Sequence, residues 1–205
     1  MFDKTIEILN RFGTNSYRES YVRVLIKGTD FDKCVSFSRI MWAKTKKGQW
    51  GRGLINDEDP FKAQRIGAFG EMAFSKVLKV PVNFIYREFG QNEDFILLKK
   101  YLVDVKTSNG YPRSNSGLIR AYTNTGKKLP IKCHFYIFAY LESEDPKKRE
   151  AIVNLVGFEK RNRILKREVV NAEKGDHYNY KIPYSELKSI KKFFTEYNTK
   201  ISSVK

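Results

Sequence analysis

Residues 92–108, NEDFILLKKYLVDVKTS, place two aspartates and a lysine beside or within two runs that are otherwise typical of a buried β-hairpin. Its two apolar runs, 95–98 and 101–105, are short and rich in branched side chains, as strands near the middle of a sheet are. Asp94, Asp104 and Lys106 interrupt them. Buried charge is costly unless another charge or a bound cation compensates it. The segment therefore predicts a central hairpin with a compensated polar site.

The length of the hairpin turn decides which acid joins this site. A two-residue turn places Glu93 on the face of Asp104 and Lys106, because side chains alternate between faces. A three-residue turn at 99–101 pairs position 96 with 104 and places Asp94 there instead. Lys-Lys is a poor residue pair for the primed turns of two-residue hairpins. The longer turn and Asp94 are therefore favoured, with Glu93 as the alternative.

One amphipathic helix is predicted at 61–79, FKAQRIGAFGEMAFSKVLK, and Pro81 ends it. Its apolar stripe consists of Ile66, Phe69, Ala73 and Val77. Glu71 lies at the edge of this stripe, at about 100° per residue. Gly67 and Gly70 flank Glu71 and permit another element to approach closely. If the helix packs over the hairpin, Glu71 joins the strand acids.

The other segments predict an α/β (α+β) fold with a central mixed sheet flanked by helices. Residues 1–40 are predicted to be mainly helical, which gives an N-terminal helical layer. Strands are predicted at 82–88, 94–98, 101–107, 134–141, 151–156 and 178–182, and a final helix at 185–197. The range 109–130 has no clear periodicity. We expect a single domain, with the helical layer and a basic loop in 1–60 and the core, with a C-terminal extension, in 61–205.

The chain has 39 lysines and arginines against 23 acidic residues, a net charge of +16, which indicates a polyanionic partner such as DNA. Two basic segments are candidate nucleic-acid contacts, although a plain linker and a solvated surface also explain them. The candidate residues are Lys44, Lys46, Lys47, Trp50 and Arg52 in the first segment and Lys160, Arg161 and Arg163 in the second.

Nothing in the sequence predicts a membrane span or a secretory signal, because no long apolar run or apolar leader is present. We therefore expect a cytoplasmic protein. Cys34 and Cys133 lack the spacing of a zinc site and are interpreted as ordinary reduced thiols.

Two carboxylates on adjacent strands suit Mg²⁺, which prefers oxygen ligands, with Mn²⁺ as a substitute. A lysine two residues after the second acid points to the same side of its strand. There it can contact a scissile phosphate or the attacking water and stabilise the charge that develops. The combination predicts phosphodiester hydrolysis.

The motifs GEMAF, ED and DVKTS resemble those of the PD-(D/E)xK nuclease superfamily over residues 61–108. The resemblance implies a restriction-endonuclease-like αβββαβ core. It also implies that Glu71 is the helical acid, Asp94 the first strand acid, and Asp104 and Lys106 the (D/E)xK pair. The Val105 carbonyl would help the acids to hold the metal. Glu93 stands where the family has a proline, and the family's middle helix is poorly marked in 109–130.

The leading hypothesis is a Mg²⁺-dependent DNA nuclease, an endonuclease rather than an exonuclease, that can act as a homodimer. The alternatives are a non-catalytic nucleic-acid-binding protein on the same scaffold and an RNA-directed nuclease. A structural ion-pair cluster in an inactive protein also explains the acids, although three acids and one lysine balance poorly.

Overall fold

The computed structural model describes residues 6–12, 18–47, 59, 61–82, 84, 93–112, 115–123, 125–171 and 178–202. They form a mixed α/β fold with ten strands and four α-helices in the described ranges. The strands are β1 (Ile6–Phe12), β2 (Arg18–Lys27), β3 (Phe95–Leu97), β4 (Tyr101–Asn109), β5 (Ser116–Arg120), β6 (Phe135–Asp145), β7 (Glu150–Lys160), β8 (Val169–Asn171), β9 (Tyr178–Pro183) and β10 (Lys188–Ser189). The helices are α1 (Thr29–Lys47), α2 (Lys62–Leu78), α3 (Arg161–Ile164) and α4 (Ile190–Ser202).

The main sheet is mixed, as predicted, and has the strand order β1-β2-β7-β6-β4-β3, with β10 also paired to β7. Among its described strands, β4 and β6 are parallel neighbours, and every other pair is antiparallel. β2 pairs with β7, so residues before position 60 share this sheet with residues from the second half of the chain. No described helix is both long and apolar enough to cross a membrane.

The predicted helical layer at 1–40 is wrong for β1 and β2 and right for α1. The helical interpretation used the spacing of Val22, Leu25 and Ile26, which fits one helical turn. Val22, Val24 and Ile26 are β-branched, alternate along β2 and are buried. Because period two fits the whole strand and β7 offers a pairing partner, the strand prevails.

Helix α2 spans Lys62–Leu78 and confirms the helix predicted at 61–79. It ends at Lys79, which adopts a left-handed conformation with φ of 55°, and Pro81 follows. Together with α1 and α4, it covers one face of the main sheet. The apolar side chains between these helices and the sheet form the helix-side core, which includes Phe31, Phe69, Phe74, Val103, Leu155 and Phe193.

A small antiparallel sheet with the order β5-β9-β8 contributes to a second core on the other face of the main sheet. This second core includes Tyr136, Phe138, Tyr140, Tyr180 and Ile182. A Cβ added at Gly117 of β5 would lie 2.2 Å from the Phe138 ring, so the two sheets pack in direct contact. The middle helix of the nuclease family is not seen in the described part of the β4–β6 connection, where β5 lies instead.

The strands predicted at 94–98, 101–107, 134–141, 151–156 and 178–182 are confirmed as β3, β4, β6, β7 and β9. The strand predicted at 82–88 falls mainly outside the described residues. The last helix begins at Ile190 and not at 185, because Tyr184–Glu186 form a 3₁₀ turn and β10 then pairs with β7.

Candidate active site

The hairpin of β3 and β4 has an odd-length turn, as predicted, and Phe95 lies opposite Val103. The turn begins one residue earlier than expected, and its Leu98 and Lys99 both have φ of 52°. This left-handed pair gives the primed type of turn that the lysines were expected to avoid. Continued by one residue beyond the paired strand residues, this register places Asp94 opposite position 104 and not opposite 106. The parity is unchanged, so Asp94 and not Glu93 shares a face with Asp104.

The acids lie on the face of the main sheet that is turned away from α2. Phe95, Leu97 and Val103 belong to the helix-side core, and side chains alternate along a strand. Asp94 and Asp104 are therefore on the side of the second core. The expectation that α2 packs over the face bearing the acids is wrong. The apolar side chains of β3 and β4 point to the opposite face, and α2 packs against them.

Asp104 is nearly buried, with 5% of its surface exposed. The Lys106 Nζ lies 3.1 Å from its Oδ1 and 2.8 Å from its Oδ2. β4 positions both groups, because residues two apart on a strand point to the same side. The lysine side chain is 44% exposed and reaches solvent. The pair therefore consists of an enclosed carboxylate and an ammonium group at its mouth.

Asp94 continues the hydrogen bonding to β4 just before β3 begins. Its N–H donates to the Val103 carbonyl at 2.8 Å, and its Oδ2 accepts from the Val105 N–H at 2.7 Å. The carboxylate thus takes the position that the carbonyl of a longer β3 would occupy. This bond fixes the Asp94 side chain against the strand that carries Asp104.

The backbone of β4 also directs a carbonyl toward Asp94. The Leu102 N–H donates to the ring Nδ1 of His134, which directly precedes β6, at 3.1 Å. The Leu102 carbonyl accepts from the His134 N–H at 2.8 Å. Even-numbered residues of β4 therefore point their backbone polar groups to β6, and odd-numbered residues point theirs to β3. The Val105 carbonyl therefore points to the β3 edge of β4, as does the Val105 N–H that Asp94 bonds; its role as a metal ligand stays a prediction.

Lys106 is held in its charged form. Burial lowers its pKa, but the charge and hydrogen bond of Asp104 and the charge of Asp94 outweigh burial and raise the pKa above its ordinary value. The side chain remains an ammonium group at neutral pH and acts as a fixed positive charge. It is unsuited to accept a proton from water in this state.

Cys133 and Tyr136 form the buried wall beside Asp104, and the sequence did not single them out. Burial, followed by the charges of Asp104 and Asp94, raises the pKa of the Cys133 thiol to about 12, so the thiol stays protonated. The Tyr136 hydroxyl is hydrogen-bonded to Cys133, and burial raises its pKa as well. Tyr136 lies opposite Asp104 in the β4–β6 register. The sequence around Tyr136 does not by itself show that its side chain lies on the face of Asp104; the pairing of β4 with β6 shows it.

Glu159 is a fully buried acid in the same row of the sheet, because it pairs with Tyr136 across β6 and β7. Its Oε2 lies 3.4 Å from nitrogens of both Arg163 and Arg167, and its Oε1 accepts from the Lys160 N–H at 2.9 Å. The predicted contact residue Arg163 is therefore partly neutralised within the protein. Sequence inspection missed Glu159 because it ends an otherwise apolar strand.

Lys160 and Arg161 are exposed at the start of α3, in agreement with their interpretation as surface cations. The Arg161 N–H donates to the His134 carbonyl at 3.1 Å, and Ile164 of α3 is buried in the second core. α3 therefore lies on the same side of the main sheet as Asp104. Contact of these cations with nucleic acid stays a prediction.

Glu71 is half-buried on α2, on the helix side of the sheet. Its charge acts on Cys34 of α1, whose pKa is raised mainly by burial and then by Glu71. Glu71 is not among the main charges that act on Lys106 or Cys133; the acids that act on both are Asp104 and Asp94, and Glu93 also acts on Cys133. Within the described part of the chain, no group of three or more His, Cys, Asp or Glu is arranged to hold a metal ion. The metal-binding role of Glu71 stays a prediction.

The first basic segment is helical at its start and is not entirely a loop. Lys44 is exposed on α1, and Lys46 and Lys47 belong to the last turn of that helix. Trp50 and Arg52 lie outside the described residues.

No protein-family model, curated protein or solved structure matches this chain. The function is therefore argued from the site itself.

Proposed function

We propose that this protein is a metal-dependent nuclease that hydrolyses DNA. One observation carries the proposal: Asp94, directly before β3, bonds the Val105 N–H of β4, and Lys106 bonds Asp104 on the same strand, with the charges of both acids acting on Lys106. The net charge of +16 favours a polyanionic substrate. Two acids and a lysine at one sheet position are costly as a purely structural device, which favours a role in binding or chemistry.

The donor atoms of the site suit a hard divalent cation. Asp94 and Asp104 offer carboxylate oxygens and Val105 offers a carbonyl, which are ligands that Mg²⁺ and Mn²⁺ accept. When bound, such an ion polarises the phosphate and lowers the pKa of a coordinated water. Asp94 would keep its bond to the Val105 N–H through one oxygen and use the other toward the ion.

Lys106 would act as the permanent cation of the site. Its raised pKa keeps the ammonium charged, so it would hold the scissile phosphate and stabilise the negative charge that develops there. Cys133 and Tyr136 would close the inner wall, because both are buried and neutral. Their role would be to keep bulk water away from Asp104.

The topology supports the same proposal. Helix α2 precedes the antiparallel β3–β4 hairpin, and β6 is parallel to β4. A helix, an antiparallel hairpin and a later strand parallel to the second hairpin strand are part of the αβββαβ order that the motif resemblance implies. The described residues differ from that core by having β5 in the β4–β6 connection, where the family has a helix.

The test is cleavage of circular and linear DNA by the full chain with Mg²⁺, Mn²⁺ or EDTA. We expect metal-dependent cutting of circles by the wild type and none by Asp104→Asn or Lys106→Ala. Asp145→Asn is the matched control, since it removes a partly exposed acid at the other end of β6 from the site. Cutting by Asp104→Asn at the wild-type rate, or cutting in EDTA, would refute the proposal.

A second candidate is a non-catalytic nucleic-acid-binding protein on the same scaffold. It is favoured because the charged groups of the site already bond to other groups of the protein: Asp94 bonds the Val105 N–H, and Lys106 bonds Asp104. The same experiment separates the two functions. DNA binding with no cleavage under any metal would select the binding protein.

A further inference from the structure

The chain segregates its charges around the candidate site. Between Asp104 and Glu142 it has no acidic residue and six basic ones. These are Lys106, Arg113, Arg120, Lys127, Lys128 and Lys132, of which Arg113 lies outside the described residues. Positive charges concentrated in this way repel one another and favour an anionic ligand.

Residues 121–123 and 125–132 form a small hairpin, here called the basic arm. The Leu129 N–H donates to the Ala121 carbonyl at 2.8 Å, and the Thr123 N–H donates to the Lys127 carbonyl at 2.8 Å. Gly126 makes the turn with φ of 78°, a conformation that favours glycine. Lys127, Lys128 and Lys132 are exposed. The arm thus holds its lysines on an ordered backbone.

Both ends of the basic arm are fixed to the fold. The Ala121 N–H donates to the Tyr178 carbonyl of β9 at 2.8 Å. At the other end, Ile131 and Cys133 are buried in the second core. Cys133 is close enough to Asp104 that the charge of the aspartate helps to raise the pKa of the thiol. Lys132 is therefore one residue away from the wall of the candidate active site.

Two tyrosines accompany these cations. Tyr178 is 47% exposed, and its ring centroid lies 6.0 Å from that of Tyr122 in an edge-to-face arrangement of 78°. The Arg120 Nε donates to the Tyr122 carbonyl at 3.1 Å, which holds a guanidinium group beside the ring pair. The exposed ring of Tyr178 is available for stacking against a flat ligand.

The geometry points to single-stranded DNA as the ligand of this surface, which comprises Arg120, Tyr122, Lys127, Lys128, Lys132 and Tyr178. Cations along a path contact phosphates, and an exposed ring stacks on a base, which is the combination that single-strand-binding surfaces use. In a duplex the bases are stacked on each other and do not offer their faces. The basic arm would guide an unpaired strand toward Asp104. Its guiding role, but not its binding, rests on the nuclease proposal.

The experiment is a fluorescence anisotropy titration of the full chain with labelled oligothymidine in EDTA, repeated with a duplex of the same length. Tyr178→Ala is expected to weaken single-strand binding about tenfold by loss of stacking and to leave duplex binding unchanged. Tyr178→Phe should retain binding. Lys127→Ser with Lys128→Ser should lower the slope of log K against log salt by about 1.4, at about 0.7 per single-strand contact.

Lys147→Ser with Lys148→Ser is the matched control, because these exposed lysines follow β6 at its far end and give the same change in charge. An equal loss of binding in this control would show a general charge effect and overturn the inference. So would an unchanged ratio of single-strand to duplex affinity in Tyr178→Ala, or tighter binding of oligouridine than of oligothymidine. Because EDTA prevents cleavage, a protein that binds but never cuts would refute the nuclease proposal and leave this inference standing.

Discussion

Gly70 of α2 packs against β4 so closely that no larger residue fits. A Cβ at this position would lie 1.8 Å from the Thr107 Oγ1 and 2.9 Å from the Thr107 Cβ. Rotation of the threonine relieves the first contact but not the second, because the Cβ is fixed to the strand backbone. Gly70→Ala must therefore move α2 away from β4.

Gly67, one helical turn earlier, is the matched control, because a Cβ there has no atom within 4 Å. Alanine stabilises a helix interior by about 0.8–1.0 kcal/mol relative to glycine. We expect Gly67→Ala to realise this gain. In Gly70→Ala, overpacking that costs about 2–3 kcal/mol exceeds the gain and leaves a net loss of about 1–2 kcal/mol.

Urea unfolding followed by circular dichroism measures the difference. The two variants should differ by about 2–3 kcal/mol, which at a slope near 2 kcal/mol/M separates their midpoints by roughly 1 M. Thr107→Ala should restore part of the loss in Gly70→Ala, with a coupling energy of at least about 0.5 kcal/mol. A Gly70→Ala protein as stable as Gly67→Ala would refute the close packing of α2 on β4.

Three further predictions concern charged groups. Glu159→Gln should destabilise the protein by on the order of 3 kcal/mol in urea, because it removes the buried carboxylate that pairs with Arg163 and Arg167; the exposed Glu186→Gln, with a cost below about 1 kcal/mol, is the control. Asp94→Asn should abolish DNA cleavage and Glu93→Gln should not, and the opposite result would show that Glu93 supplies the site. Arg65 of α2 bonds Asp59 and lowers the pKa of that carboxyl, so the ionised acid contributes stability that is present above pH 3.8 and is lost as pH falls through the lowered pKa. Asp59→Asn should weaken this dependence of stability on pH, and an unchanged pH profile of unfolding would contradict the prediction.

The elements with strong local signals could be predicted from the sequence. Helix α2 has an apolar stripe and a proline after its end, and β4 and β6 are dense in branched and aromatic residues. The face shared by Asp94 and Asp104 followed from turn parity alone. The same residues of the two strands share a face when the turn shifts by one residue, provided that the turn keeps an odd number of residues.

The remaining features depend on partners that are distant in the sequence. β2 has a pattern that fits a helical turn as well as a strand, and its pairing with β7 decides the outcome. Tyr136 and Glu159 join the row of Asp104 only through the pairings of β6 with β4 and β7. The alternation along β3 and β4 predicts which face of the hairpin is apolar, but not that α2 covers this face and leaves Asp94 and Asp104 on the other.

The pairing of β2 with β7 also affects how the chain acquires its structure during synthesis. Strand 18–27 has no partner on its inner edge until residues 150–155 have been made. At a translation rate of about 5–20 residues per second, this delay is roughly ten seconds. During that time an apolar strand edge is available to other chains, and non-local pairing of this kind folds slowly. Production of the protein should therefore respond to slower synthesis at low temperature and to chaperones that shield exposed strands.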